Sequence, residues 1–170
     1  MRLFNGKIPI IAEEMVRTLV ADSDIETPTP DEVRLDIEAV LKEYLRQERG
    51  VLDEAKNRME IRSLPYSQLG KMKQAVARER QIPIGEDMLP YLLEQILTML
   101  FHSSNVEEVF AEDIELRKKM TKIMRRHLEV EGELDQEVRS KIKNLQEGTA
   151  TFEIEYQRVM NELKRKKRLT

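Results

Sequence analysis

Apolar residues recur every three or four positions over two long stretches of the chain, which is the spacing of one helix face. The stretches cover residues 33–59 and 116–142, and each continues through a single glycine, Gly50 or Gly132. A turn at a glycine would have no reason to preserve the phase of the pattern. Each stretch therefore predicts one continuous helix. The first would be about 50 Å long at about 1.5 Å per residue, which predicts an elongated molecule.

The placement of proline also favours an all-α fold. No proline follows Pro90 in the remaining 80 residues, and a proline inside a helix costs about 3 kcal/mol. No stretch shows the period-two alternation rich in Val, Ile and Thr that is typical of strands. A segment around residues 88–101 is apolar around most of its circumference, which predicts burial on several sides. We predict six helices, at residues 8–22, 30–62, 65–80, 86–102, 105–147 and 150–168.

The two long apolar stripes match position by position when they are offset by 83 residues, so that Val33 meets Leu116. The shorter helices before and after them match at offsets of 81 and 87, and the offset changes only where loops are predicted. This ordered match predicts two similar three-helix halves, each built around one long helix. We place the domains at residues 1–81 and 82–170. The alternative is shared helical patterning without duplication, since any two amphipathic helices can be aligned in this way.

Residue types that carry catalysis or bind cofactors are sparse. The chain has no cysteine, and its six glycines are too scattered for a phosphate-binding loop. The two histidines, His102 and His127, have no partner at metal-ligand spacing. Adjacent carboxylates such as Glu107 and Glu108 are typical of a solvated helix face. We expect a non-enzymatic protein without cofactor or metal; an enzyme built from scattered carboxylates is the weakest hypothesis.

Two basic clusters in the C-terminal half are candidates for binding nucleic acid, because phosphates could dock on such a surface. Acidic residues at a helix start and basic ones at its end also complement the helix dipole, and the terminal run could be a solvated tail. No aromatic residue interleaves with the clusters to stack on bases. The candidate residues are Arg117, Lys118, Lys119, Lys122, Arg125, Arg126, Lys164, Arg165, Lys166, Lys167 and Arg168.

Charge and hydropathy also limit the location of the protein. The net charge of −3 gives no overall attraction to nucleic acid or membrane. No apolar run approaches the roughly 20 residues of a membrane span, and residues 1–7 lack the core of a signal peptide. We expect a soluble, cytoplasmic protein that does not bind membrane.

Five short stretches of the sequence are distinctive, and we call them sequence words: MRLF (1–4), LKEYLR (41–46), LPYSQ (64–68), VEEVFAED (106–113) and EYQRVM (155–160). From end to end the chain resembles the bacterial family called domain of unknown function 507. The resemblance implies a small, cytoplasmic, mostly helical bacterial protein with two helical domains and no assigned activity. It implies no catalytic residues.

Some residues in these words are not required by the helix-packing pattern. They are interface candidates because tyrosine and arginine suit protein interfaces, although the tyrosines could equally be packing residues. Our leading hypothesis is a protein-interaction or scaffolding module with a protein partner. The alternative is an RNA- or ribonucleoprotein-associated protein that uses the basic clusters. The interface candidates are Tyr66, Gln68, Tyr156 and Arg158.

Overall fold

The computed structural model describes residues 1–170 and consists of seven α-helices and one antiparallel pair of short strands. This confirms the predicted all-α fold. None of the helices combines the length and the apolar composition that a membrane span requires. The helices are α1 (Ile8–Ala21), α2 (Pro30–Ile61), α3 (Leu69–Arg80), α4 (Met88–His102), α5 (Asp113–Leu128), α6 (Val130–Lys141) and α7 (Ala150–Lys166), and the strands are β1 (Ile25–Glu26) and β2 (Glu108–Val109).

Helix α2 is continuous through Gly50, as predicted from the unbroken apolar stripe. Its 32 residues make it about 48 Å long. The Arg80 side chain crosses α2 at Gly50, where a β-carbon would lie only 2.8 Å from its guanidinium, and forms an ion pair with Glu54. The glycine therefore leaves room for α3 to be fastened to α2.

The predicted fifth helix, residues 105–147, is wrong as a single element. Its first residues form β2, because the amides of Glu107 and Phe110 donate to carbonyls of the segment around β1. The helix is then interrupted at Glu129, three residues before the glycine, and α6 ends at Lys141. The backbone amide of Arg2 donates to the Leu128 carbonyl at 3.0 Å. That carbonyl would otherwise accept the bond that continues the helix.

The largest hydrophobic core lies between α1, the first half of α2, α4 and α5. It contains 24 buried residues and includes side chains from both predicted domains, 1–81 and 82–170. Two smaller cores flank it. One joins the second half of α2 to α3, and the other joins α6, α7 and Phe4. Helix α4 supplies seven buried residues, in keeping with its apolar circumference.

The two connections that follow α1 and α4 are paired with each other. Ile25 lies opposite Val109, and Glu26 lies opposite Glu108. This pair of strands places both connections at the same end of the central bundle, together with the start of α2 and the start of α5. Two polar contacts lie beside it. The Asp36 carboxylate accepts hydrogen bonds from Ser103 (2.6 Å) and Asn105 (2.9 Å), and Lys119 forms ion pairs with Asp24 (2.6 Å) and Asp22 (2.9 Å).

The N-terminal segment connects the central bundle to the α6–α7 pair. Phe4 is buried in the core of that pair, and the Gly6 amide donates to the Leu169 carbonyl at 2.9 Å. A β-carbon on Gly6 would overlap the backbone carbonyl of Arg168. Gly6 is therefore required for the close approach of the two ends of the chain.

Replacing Gly6 with alanine should lower the free energy of unfolding by about 1–3 kcal/mol, because backbone atoms must move to admit the methyl group. Gly132→Ala is the matched control. Gly132 lies inside α6 with open space around it, so alanine there should raise stability by about 0.5–1 kcal/mol. Urea unfolding measures both changes. Equal stability of Gly6→Ala and the native chain would contradict this packing of the N-terminal segment.

Candidate interaction surfaces

The basic cluster of α5 divides into two sets with different roles. Three of its six cations form ion pairs that attach α5 to the neighbouring helices α1 and α4 or to the connection after α1. These pairs are Arg117 with Glu94, Lys119 with Asp22 and Asp24, and Arg126 with Glu14. The hydrogen bonds that Lys119 donates to Asp24 and Asp22 raise its pKa to about 12. These three cations therefore stabilise the bundle and are not free to bind a ligand.

The other three cations of this cluster form a stripe along the exposed face of α5. Lys118, Lys122 and Arg125 are exposed, and none has a carboxylate within ion-pair distance. Steps of four and three residues place them on one helix face, spanning about 10 Å along the axis. We call these three residues the α5 stripe. They are the part of the predicted cluster that an anionic partner could reach.

The C-terminal basic run is ordered rather than a frayed tail, because α7 continues to Lys166 and Leu169 is buried. The Lys164 ammonium lies 5.7 Å from the centre of the Phe4 ring, and the Arg2 guanidinium lies 5.1 Å from it. Burial, and secondly the charge of Arg2, lower the pKa of Lys164. Lys167 forms a 2.7 Å ion pair with Glu137. Only Arg165, Lys166 and Arg168 remain exposed and unpaired.

Two of the four interface candidates are bound within the α6–α7 pair or along α7. The Tyr156 hydroxyl donates to Asp135 at 2.5 Å and its ring stacks on Phe152. Burial and this hydrogen bond raise the pKa of Tyr156 to about 12. Arg158 is exposed but lies 2.9 Å from the Glu155 carboxylate. The contacts of Tyr156 give it a structural role in the α6–α7 pair, whereas Arg158 stays exposed on the surface of α7.

The other two candidates lie in the connection between α2 and α3. Tyr66 is 77% exposed, and Gln68 is partly buried in the same short 3-10 turn. Two neighbours that the sequence analysis did not single out are also exposed: Ile61 at 75% and Leu64 at 37%. The second half of α2 and helix α3 form a helical hairpin, and we call Ile61, Leu64 and Tyr66 the hairpin tip. The signal was present in the sequence, since Ile61 lies off the apolar stripe of α2.

The hairpin tip is surrounded by positive charge. Residues 56–75 contain five cations and a single acidic residue, Glu60. Arg58 alone among these cations forms ion pairs, with Glu54 of the same helix and with Glu79 of α3, and the second pair joins the two helices. The unpaired cations are Lys56, Arg62, Lys71 and Lys73.

The half-buried pair between α1 and α5 is the closest approach of a carboxylate to a histidine. Glu14 lies 2.7 Å from the Nε2 atom of His127 and also pairs with Arg126. No group of three or more His, Asp or Glu side chains is arranged to hold a metal ion. An open groove of about 300 Å³ lies between α2 and α4, but its Tyr44 hydroxyl is already bonded to the Pro83 carbonyl at 3.0 Å.

The fold and these sites define a small helical protein whose candidate sites are exposed apolar side chains and unpaired cations on its surface. The chain belongs to the family described as "Protein of unknown function (DUF507)", whose sequence profile matches residues 1–169. This confirms the resemblance inferred from the five sequence words. No curated protein matches the chain.

Glu14→Gln should lower the free energy of unfolding by about 1–3 kcal/mol at neutral pH, because Arg126 and His127 lose a charged acceptor. Burial opposes the ionisation of Glu14, but the hydrogen bonds from His127 and Arg126 outweigh it and lower its pKa below 4.5. A lowered pKa stabilises the folded state above the unfolded value, and this is lost as the pH falls through the folded value. The difference between the native chain and the variant should therefore vanish in acid.

Urea unfolding at neutral pH and at a pH well below 4.5 measures this difference. Glu13→Gln is the control, since Glu13 is exposed and has no ion pair, and it should change little at either pH. A Glu14→Gln effect that is the same at both pH values would contradict the charged pair.

Proposed function

We propose that the protein is a non-enzymatic protein-interaction or scaffolding module of the bacterial cytoplasm, and that the hairpin tip is its main contact point. The observation that carries this proposal is the exposure of Ile61, the last residue of α2, and of Tyr66, in the short 3-10 turn before α3, at 75% and 77%. Burying a large apolar side chain contributes about 1.5–3 kcal/mol. Two such side chains at one point favour a partner that covers them.

The tip is not needed to complete the fold. The core between α2 and α3 consists of Val51, Ala55, Val76 and Ala77, with partly buried neighbours that do not include Ile61 or Tyr66. The hairpin that presents the tip is fastened by the ion pairs of Arg58 with Glu79 and of Arg80 with Glu54. A site held in place before binding loses less conformational entropy when a partner docks.

The double variant Ile61→Ser, Tyr66→Ser should lose the proteins that the native chain captures from a bacterial lysate, while its helix content and stability stay the same. Ile154→Ser is the control, because Ile154 is 67% exposed on α7, away from the tip. Quantitative mass spectrometry of the captured proteins is the measurement. An identical set of partners for the double variant and the native chain would rule out the tip as the contact point.

A second function, binding of RNA, is favoured by the α5 stripe. Its three unpaired cations project from one face of a rigid helix, and each phosphate contact by a cation releases counterions. The absence of neighbouring aromatic residues favours backbone contacts without base recognition. Such binding would be weak, independent of sequence and sensitive to salt.

Replacing Lys118, Lys122 and Arg125 with glutamine should weaken binding to mixed single-stranded RNA at low salt. It should also reduce the slope of log affinity against log salt by about 2, at about 0.7 per contact. The control removes three exposed, unpaired cations from scattered positions: Arg17, Arg78 and Lys143. Filter binding over a salt series measures both. No binding by the native chain at low salt, or equal loss in the control, would contradict an RNA interface on α5.

We also infer that the chain arose by internal duplication. The strand pairing agrees with this, because the connections after α1 and α4, which occupy equivalent places in the two halves, pair with each other.

The polar contacts beside the strands support the same inference. Asp36 corresponds to Lys119 at an offset of 83, and Asp22 and Asp24 correspond to Ser103 and Asn105 at an offset of 81. Equivalent positions of α2 and α5 therefore each contact the connection of the other half. Asp36 does so through hydrogen bonds and Lys119 through ion pairs. If relatives show no more similarity between the two halves than between unrelated helices, the duplication is wrong.

A further inference from the structure

The end of the central bundle that carries β1 and β2 is strongly acidic. Residues 22–33 and 103–116 contain ten carboxylates and no lysine or arginine. Three of these carboxylates are bound by cations of α5: Asp22, Asp24 and Asp113. The remaining seven have no ion pair, so this end attracts positive charge.

Exposed apolar side chains lie at the same end. Phe101 is 54% exposed, Phe110 is 57% exposed and Ile114 is 77% exposed. Phe101 lies two turns beyond Glu94 on the same face of α4, and Ile114 lies one turn before Arg117 on α5. Since Arg117 pairs with Glu94, these faces of the two antiparallel helices adjoin. We call Phe101, Phe110, Ile114 and the surrounding carboxylates the acidic end.

The acidic end and the hairpin tip have complementary properties. Each presents three exposed large apolar or aromatic side chains, but the tip is surrounded by unpaired cations and the end by unpaired carboxylates. Helix α2 begins at the acidic end and finishes at the tip, about 48 Å away. The two patches on one chain are therefore too far apart to meet each other.

We propose that the hairpin tip of one copy docks on the acidic end of a second copy. This inference rests on the proposed function, because it names the partner of the same tip. The contact is heterologous, so each bound copy keeps one free patch and further copies can add in a row. Its small apolar area and many charges make the association weak and salt-sensitive.

Two variants of the full chain separate the patches. The tip variant carries Ile61→Ser and Tyr66→Ser, and the end variant carries Phe110→Ser and Ile114→Ser. All four side chains are more than half exposed, so both variants should fold, which circular dichroism checks. Sedimentation velocity at low and high salt, over about a hundredfold range of concentration, measures association.

The native chain should form dimers and longer species at low salt and return to monomer at high salt. Each variant alone should associate at least about tenfold more weakly. An equimolar mixture of the two should form a dimer and nothing larger, because one intact tip then meets one intact end. A native chain that stays monomeric at low salt, a mixture that stays monomeric, or a variant that associates like the native chain would each overturn the proposal.

Failure of this proposal can be told apart from failure of the proposed function. If the native chain is monomeric while capture of other proteins still depends on Ile61 and Tyr66, self-docking is overturned and the interaction module stands. If neither association nor capture depends on the tip, both are wrong.

Discussion

The packing of α1 and α2 against α4 and α5 is the interaction on which the rest of the structure depends. It buries the largest core, with 24 residues from both halves of the chain, and the paired strands close its acidic end. The two smaller cores extend from this bundle, one along the second half of α2 and one beyond the interruption at Glu129. Helices α2, α4 and α5 of the central bundle carry the hairpin tip, the acidic end and the α5 stripe.

Ion pairing decides which charged residues remain available for a partner. On α5, Arg117, Lys119 and Arg126 bind carboxylates of neighbouring segments, while the α5 stripe has none within reach. The sequence alone shows six similar cations on α5. Only the contacts in the structure separate those that form ion pairs from those that remain unpaired. Together with the exposed apolar side chains, the unpaired charges divide the surface into a basic tip and an acidic end.

The sequence predicted the elements whose cause is local. The apolar stripe of α2 depends on residues within the helix, so the bounds of α2 were predicted within a residue, and the family words were specific enough to identify the family. The interruption at Glu129 was missed because its cause is the amide of Arg2, which is distant in sequence. The two-residue strands are too short to produce an alternating pattern. Tyr66 was singled out as an interface candidate, but its exposed neighbour Ile61 was not, although the position of Ile61 off the apolar stripe of α2 indicates exposure.

The most direct test of the shared core is to produce residues 1–81 and 82–170 as separate chains and follow their helix content and urea unfolding, alone and mixed. Each separated chain leaves one side of the core exposed, so neither should show cooperative unfolding as a monomer. The mixture should form a 1:1 complex that recovers cooperative unfolding. Two fragments that each unfold cooperatively as monomers and gain nothing on mixing would contradict a core shared between the halves.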